Sequence, residues 1–334
     1  MNICICGGGS LGHVCAGILA SHDDVRVSLF TKRPEQWNFE LSVQDPVGKE
    51  YVSTLYKVSS DPADLINEAD LVLICVPGFL IEQVLKEISP YLNPSTLVGS
   101  IVSNTGFFFK AHELLAKNTP LFGFQRTPFI SRINEYGKSA FLLGYKKEIS
   151  LAVENVDDVE SFRLNIERLF LTPTVLLNNF YEASLTNSNP ILHTGRLYSM
   201  WHTWDGHIYD HNILFYKEWT DEASQLLIDM DQEFMALLSV LGISKEVVPS
   251  LLDYYESTDA ESLTRKISSI AAFQTITSPM KPVEGGWIPD FESRYFIEDF
   301  PYGLKIIKEQ AEIYGISTPV IDKVLTWGMS VLKL

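Results

Sequence analysis

Residues 2–20, NICICGGGSLGHVCAGILA, hold the reading from which the rest of the chain is worked out. The short run 2–6 is apolar after Asn2 and ends at three glycines, as a buried strand does when it enters a tight turn. From Ser10 the chain continues without a charge in a helical pattern to about Ser21. Gly7, Gly9 and Gly12 stand at the three fixed positions of G-x-G-x-x-G, at the first strand-to-helix junction. Each glycine serves a different mechanical purpose, since Gly7 allows the turn, Gly9 lets backbone approach a pyrophosphate, and Gly12 lets helix and sheet close up. The amides of Ser10 and Leu11 at the helix start present donors and the positive end of the helix dipole to phosphate. A dinucleotide is the ligand this arrangement suits; the lysine of a triphosphate-binding loop is missing.

Working outward, a second strand is expected at 25–30, and Leu71-Val-Leu-Ile-Cys-Val76 is apolar on both faces, as a central parallel strand must be. A helix at 80–88 and a strand at 96–102 continue the alternation, and 134–145 reads as antiparallel strands closing one edge. Past residue 176 strand-like runs almost vanish. Segments 221–241, 302–314 and 319–332 carry helical periodicity, with stops at Gly242 and Gly315. The fold class expected is therefore α/β: an N-terminal Rossmann-type doubly wound parallel sheet in residues 1–176, then an all-helical C-terminal domain in 177–334. Residues 277–290, with Pro279, Pro282, Gly285, Gly286 and Pro289, read as a long functional loop.

The end of the second strand selects between nicotinamide dinucleotides, because a carboxylate there grips the ribose and repels a 2′-phosphate. This chain has Thr31, Lys32 and Arg33 instead, so NADP is favoured over NAD. Val76 and Pro77, where the central strand ends, are assigned to the same coenzyme site.

A net charge of −16 repels polyanions, so neither nucleic acid nor an anionic membrane surface is an expected partner. The longest uncharged stretch, 89–109, is broken by Pro90, Pro94 and Gly99, which does not suit a bilayer-spanning helix. No signal peptide is read at the amino terminus, so a cytoplasmic setting is expected. Cys4, Cys6, Cys15 and Cys75 form no C-x-x-C pair and read as apolar packing.

Histidine is the side chain best suited to move a proton near neutrality. His13 and His22 flank the first helix, and His112 lies in another. His202, His207 and His211 gather near Asp205 and Asp210 without the spacing of a metal site, so no metal is assigned. His193 stands apart in NSNPILHTG, 187–195, where Asn189 and Pro190 look like a helix start that would put His193 in the first turn.

NPILHTGR, the stretch DFESRYFIEDFPYGL at 290–304 and FQRTPFISRINEYG at 124–137 together resemble the octopine and nopaline dehydrogenases, the opine dehydrogenase family. The similarity runs in order along most of the chain. It implies an all-helical domain after the dinucleotide domain, substrates bound in a cleft between them, and reductive condensation of an amino acid with a 2-oxo acid using NAD(P)H. By position, the resemblance makes His193 the general acid/base, Asp299 its dyad partner and Arg294 a holder of a substrate carboxylate. Arg126, Thr127 and Ser131 fall in the segment that lines the keto-acid site. FQRTPFISR departs from the family's more usual L-P-W-A-C-R, which leaves the identity of the keto acid open.

Two other readings stay open from the residues. Ketopantoate reductases share the two-domain plan but use a lysine early in the helical domain, and no lysine lies between Lys147 and Lys217. A non-catalytic dinucleotide-binding regulator would keep the fold without turnover. Asp299 could also cap a helix beginning near Pro301, and Arg294 could be a surface ion pair. The apolar faces of the helical half permit a homodimer without requiring one.

Overall fold

The computed structural model describes residues 1–334, which divide into two compact units, Met1–Thr186 and Asn187–Leu334. In the first unit, β1 (Asn2–Cys6), α1 (Ser10–Ala20) and β2 (Arg26–Phe30) come first, followed by β3 (Glu40–Gln44), β4 (Glu50–Thr54), β5 (Lys57–Ser59) and β6 (Leu71–Ile74). Then come α2 (Gly78–Ile88), β7 (Leu97–Ser100), α3 (Phe107–Leu114), β8 (Leu121–Phe124), β9 (Phe129–Glu135), β10 (Ser139–Tyr145) and β11 (Ile149–Glu154). The unit closes with α4 (Val159–Phe170), β12 (Thr174–Leu176) and α5 (Phe180–Ser184).

Eight strands make the main sheet in the order β12-β11-β8-β7-β6-β1-β2-β5, parallel from β5 to β8 and antiparallel at β8–β11. Side-chain alternation along β1 splits the core in two. Ile3 and Ile5 join one buried cluster with Val14, Ile18, Phe122 and Leu169, while Cys4 and Cys6 join the other with Ile81, Leu85 and Phe107. Both faces are covered, as a mostly parallel sheet requires. A fully buried Ile, Leu or Phe in such a core stabilises the fold by roughly 1.5–3 kcal/mol. The four cysteines are free and buried, and burial pushes the Cys75 thiol well up, which keeps it protonated.

The pair β9–β10 was expected to close an edge of this sheet. Instead it belongs to a separate four-stranded sheet, β4-β3-β10-β9, in which β10 runs parallel to β3. The reason lies in α1, whose residues from Gly12 to Leu19 are all buried. A helix without a polar face needs cover on both sides, and a Cβ on Gly17 would come within 2.3 Å of Val43 in β3.

The division between units falls after Thr186, later than the expected boundary at 176. β12 pairs with β11 in the main sheet, and Ala183 of α5 is packed in the first unit's core. The second unit contains α6 (Asn189–Trp201), α7 (Asp221–Val240), α8 (Leu251–Tyr254) and α9 (Ala260–Ser269). A hairpin, β13 (Met280–Val283) with β14 (Gly286–Pro289), occupies the segment expected to be a loop. Then follow α10 (Arg294–Ile297), a π-helical turn at Phe300–Leu304, α11 (Lys305–Ile313) and α12 (Pro319–Leu332). The unit is helical apart from that hairpin, and no helix of the chain is long and apolar enough to cross a membrane.

Candidate active site

The glycine turn is the candidate site of the first unit. Gly7 has φ +125°, and a Cβ at Gly12 would come within 1.9 Å of the Gly7 carbonyl, so the turn and the helix start are in contact. A Cβ at Gly9 would meet nothing within 4 Å, and α1 has no side-chain cap. Free amides at Ser10 and Leu11 beside open space fit a pyrophosphate. Val76 lies against the turn, its Cγ1 2.9 Å from a Cβ built on Gly7. Pro77 follows as the N-cap of α2. Thr31 is buried with its hydroxyl 3.0 Å from a Cβ built on Gly8, so the end of β2 also reaches the turn. Lys32 and Arg33 are both exposed. The Lys32 ammonium donates to both carboxylate oxygens of Glu87 at 2.8 Å, which neutralises one of the two cations assigned to a 2′-phosphate.

His13, in the first turns of α1, is fully buried. Its Nε2 accepts from the Gly137 amide at 2.8 Å, so Nδ1 carries the proton and donates to the Gly9 carbonyl at 2.9 Å. The ring lies 4.1 Å from Trp37 and 5.1 Å from Tyr136, centre to centre. Burial pushes its pKa down, with the Gly9 bond opposing. His13 thus ties the glycine turn to the β9–β10 hairpin turn. Nothing in its spacing announced that role, because Gly137 is 124 residues away.

In the second unit, Pro190 sits in the first turn of α6 and His193 is its fifth residue, slightly deeper than the first turn expected. Asp299 precedes the π-helical turn but caps nothing with its side chain. Its Oδ2 accepts from His193 Nδ1 at 2.8 Å, across 106 residues of chain. Close approach explains the meeting: a Cβ at Gly303 would lie 2.7 Å from the Pro190 ring, so only glycine lets the π-helical turn press on the start of α6. The other ring nitrogen, Nε2, is 3.1 Å from the Tyr216 hydroxyl. With Nδ1–H committed to the carboxylate, neutral Nε2 accepts from that hydroxyl. Phe215 and Tyr295 complete the surroundings at 5.7 and 4.6 Å between ring centres.

Arg294 opens α10 and is largely exposed. Its Nε and a terminal nitrogen donate to the two Glu298 carboxylate oxygens at 3.1 and 2.9 Å, so the guanidinium is engaged in a surface ion pair. Arg126 and Thr127 lie in the loop between β8 and β9, where Arg126 reaches the Thr186 carbonyl at 3.5 Å. Ser131 lies within β9 and is buried. His207 and His211 bond Asp205 and Asp210 on the surface, and no group of three or more potential metal ligands is brought together.

Two residues around His193 escaped the sequence reading: Tyr216, in the aromatic run Phe215-Tyr216-Lys217-Glu218-Trp219, and Arg196, one turn along α6. The Arg196 guanidinium is buried and donates to the carbonyls of Phe215 at 3.1 Å and Glu218 at 2.6 Å. Burial pushes its pKa down to about 10, with the Glu218 charge opposing.

A glycine turn fitted to a pyrophosphate in one unit and a histidine–carboxylate pair in the other define the class: a nicotinamide-dinucleotide-dependent oxidoreductase. Residues 176–332 match the family model described as NAD/NADP octopine/nopaline dehydrogenase, alpha-helical domain, and residues 3–119 match the ketopantoate reductase PanE/ApbA model. Tauropine dehydrogenase from Arabella iricolor is 29% identical, with 98% of this chain and 90% of that protein aligned. Octopine dehydrogenase from Mizuhopecten yessoensis is 28% identical, over 98% and 89% of the two chains. The solved complex of octopine dehydrogenase with NADH and L-arginine superposes with a TM-score of 0.87 at 26% identity, covering 100% of this chain and 90% of that one. Residues 176–332 thus carry the helical domain of the octopine/nopaline dehydrogenases, nearly the whole chain is similar to opine dehydrogenases, and it is an NAD(P)-dependent oxidoreductase acting on CH–NH bonds. The ketopantoate reductase match ends at residue 119 and includes no residue of the helical unit, which leaves that rival a distant relative.

Proposed function

We propose that this chain joins the amine of an amino acid to the carbonyl of a 2-oxo acid and reduces the resulting imine, with His193 and Asp299 moving the protons. The observation that carries the assignment is the 2.8 Å bond from His193 Nδ1 to Asp299 Oδ2. A carboxylate on Nδ1 fixes the tautomer and stabilises the imidazolium, which leaves Nε2 to give and take a proton. Reduced nicotinamide, when bound, would supply the two electrons and the hydrogen of the reduction.

Arg294 is the proposed anchor for a substrate carboxylate. Its guanidinium is largely exposed although the Glu298 carboxylate is only 17% exposed, so a bidentate substrate carboxylate would compete with Glu298 for the planar fork. Arg126, Thr127 and Ser131 are proposed for the keto-acid side, with Ser131 acting through the placing of β9 because it is buried.

Gly7, Gly9, Ser10, Leu11, Gly12, Thr31, Val76 and Pro77 would hold the coenzyme. Discrimination in favour of NADPH would rest on Arg33 with Thr31, since Lys32 is already neutralised by Glu87. The ratio of kcat/KM for NADPH and NADH should accordingly fall in Arg33→Ser and hardly move in Lys32→Ser. The partners proposed are small molecules, an amino acid and a 2-oxo acid, and the proposed setting is the cytoplasm.

The test is coenzyme oxidation by purified protein with a panel of 2-oxo acids, with and without amino acids. Consumption that requires an amine supports this reading. Consumption indifferent to amines favours simple ketone reduction, and tight coenzyme binding without turnover across the panel favours a regulatory protein.

A further inference from the structure

His193 has no ring nitrogen left over: Nδ1 is on Asp299 and Nε2 on Tyr216. A proton leaving Nε2 must therefore pass through the phenol, or the phenol must move aside. The surroundings of Tyr216 oppose movement. Its ring lies parallel to Trp219, 7° between planes, and against Phe273 with 4.4 Å between centres. The backbone on either side is held by the buried Arg196, through the carbonyls of Phe215 and Glu218, and the same guanidinium lies 5.2 Å from the centre of the Trp219 ring. A desolvated guanidinium carries a real cost, and here its bonds go to the chain segment that carries Tyr216.

We propose that Tyr216 is the proton relay between His193 Nε2 and the reacting substrate, held in line by Arg196. This rests on the assignment of His193 as the acid/base. In the dehydration of the carbinolamine, the imidazolium gives its Nε2 proton to the Tyr216 oxygen while the phenol passes its own proton to the departing hydroxyl. The carbon–oxygen bond breaks, water leaves, the nitrogen lone pair closes the C=N bond, and His193 is left neutral. Nε2 then accepts from the phenol again, which is the arrangement observed. A hydroxyl is suited to this because it donates and accepts at once. Burial pushes the Tyr216 pKa upward, reinforced by the facing Tyr295, Tyr255 and Asp299, so the phenol keeps its proton.

The experiment compares Tyr216→Phe and His193→Asn under saturating substrates, with coenzyme affinity followed by nucleotide fluorescence. The relay predicts a loss in kcat on the order of 10²-fold in Tyr216→Phe, with KM and coenzyme affinity little changed. Turnover within a few-fold of native in Tyr216→Phe, beside an inactive His193→Asn, overturns the relay and leaves the acid/base assignment standing. Full turnover in His193→Asn overturns both. Should Tyr216→Phe fold poorly, 2,3,5-trifluorotyrosine at position 216 keeps the ring and hydroxyl but makes the phenol more acidic. The relay then requires activity to fall off at a lower pH than in the native protein, and an unmoved basic limb overturns it.

Discussion

His13 and His193 are the same side chain in two units, each with both ring nitrogens occupied, and the occupants separate their roles. His13 is held by backbone: the Gly137 N–H on one nitrogen, the Gly9 carbonyl on the other. An N–H cannot accept, so protonating His13 forfeits the Gly137 bond at a fully buried ring packed against Trp37 and Tyr136. His193 is held by a carboxylate and a hydroxyl, and both tolerate the imidazolium: one is stabilised by it, the other turns to accept from it. Burial alone therefore does not suit a histidine to proton transfer. What matters is whether its partners fit both protonation states.

The largest expected effect, and the sharpest break in the comparison, is on turnover. His193→Asn should lower kcat with the true substrate pair by on the order of 10²–10⁴-fold while coenzyme affinity stays near native. His13→Ala should do the reverse. It removes two buried hydrogen bonds and a packed ring, so stability should fall by about 3 kcal/mol and coenzyme affinity with it, while kcat at saturating coenzyme survives. Urea melts and coenzyme titrations check both arms. A His13→Ala protein of native stability would erase the distinction.

A pH series sharpens it further. The native pKa of His13 lies below its unfolded value near 6.5, so the folded state binds fewer protons. Its contribution to stability is complete above about pH 6.5 and is lost as pH falls from there toward the lowered native value. The melting temperature of the native protein should decline over that window, and more gently in His13→Gln. The smallest effect concerns a parallel pair of carboxylates. Asp299 has a histidine, whereas the buried Asp231 of α7 accepts only a backbone bond from Leu251, and burial raises its pKa to about 6. A raised carboxylate loses stability as pH climbs from its unfolded 3.8 through about 6. Asp231→Asn should therefore raise the melting temperature of the second unit by roughly 2–4 °C at pH 7.5, as about 1 kcal/mol does in a domain of about that unit's size, with no gain at pH 4.

Local signals carried the sequence reading a long way in the opening unit. The run 2–6, the glycine spacing and the uncharged helix after it predict β1, the turn and α1, and the stretch 319–332 predicts α12. Pairings between remote segments were not legible. β3 lies beside β10 although nearly a hundred residues separate them, and neither strand states its partner. The hairpin β13–β14 was hidden by its composition: glycines and prolines at 279–289 read as loop, yet Gly285, with φ +89°, is the turn between two paired strands. His193 and Asp299 were legible only through resemblance, because no spacing rule joins residues brought together by the close approach of Gly303 to Pro190. Tyr216 lay in no motif, and Arg196 closed the NPILHTGR segment without a role read for it.

A deuterium label separates reductive condensation from simple ketone reduction. Reduced coenzyme carrying deuterium at the transferable position of the nicotinamide is incubated with the protein, an amino acid and a 2-oxo acid, and the products are weighed by mass spectrometry. Reductive condensation predicts a secondary-amine dicarboxylate with one deuterium on the carbon that was the keto carbon, formed by the native protein and not by His193→Asn. Deuterium appearing instead in a 2-hydroxy acid, with or without the amine, would contradict the account.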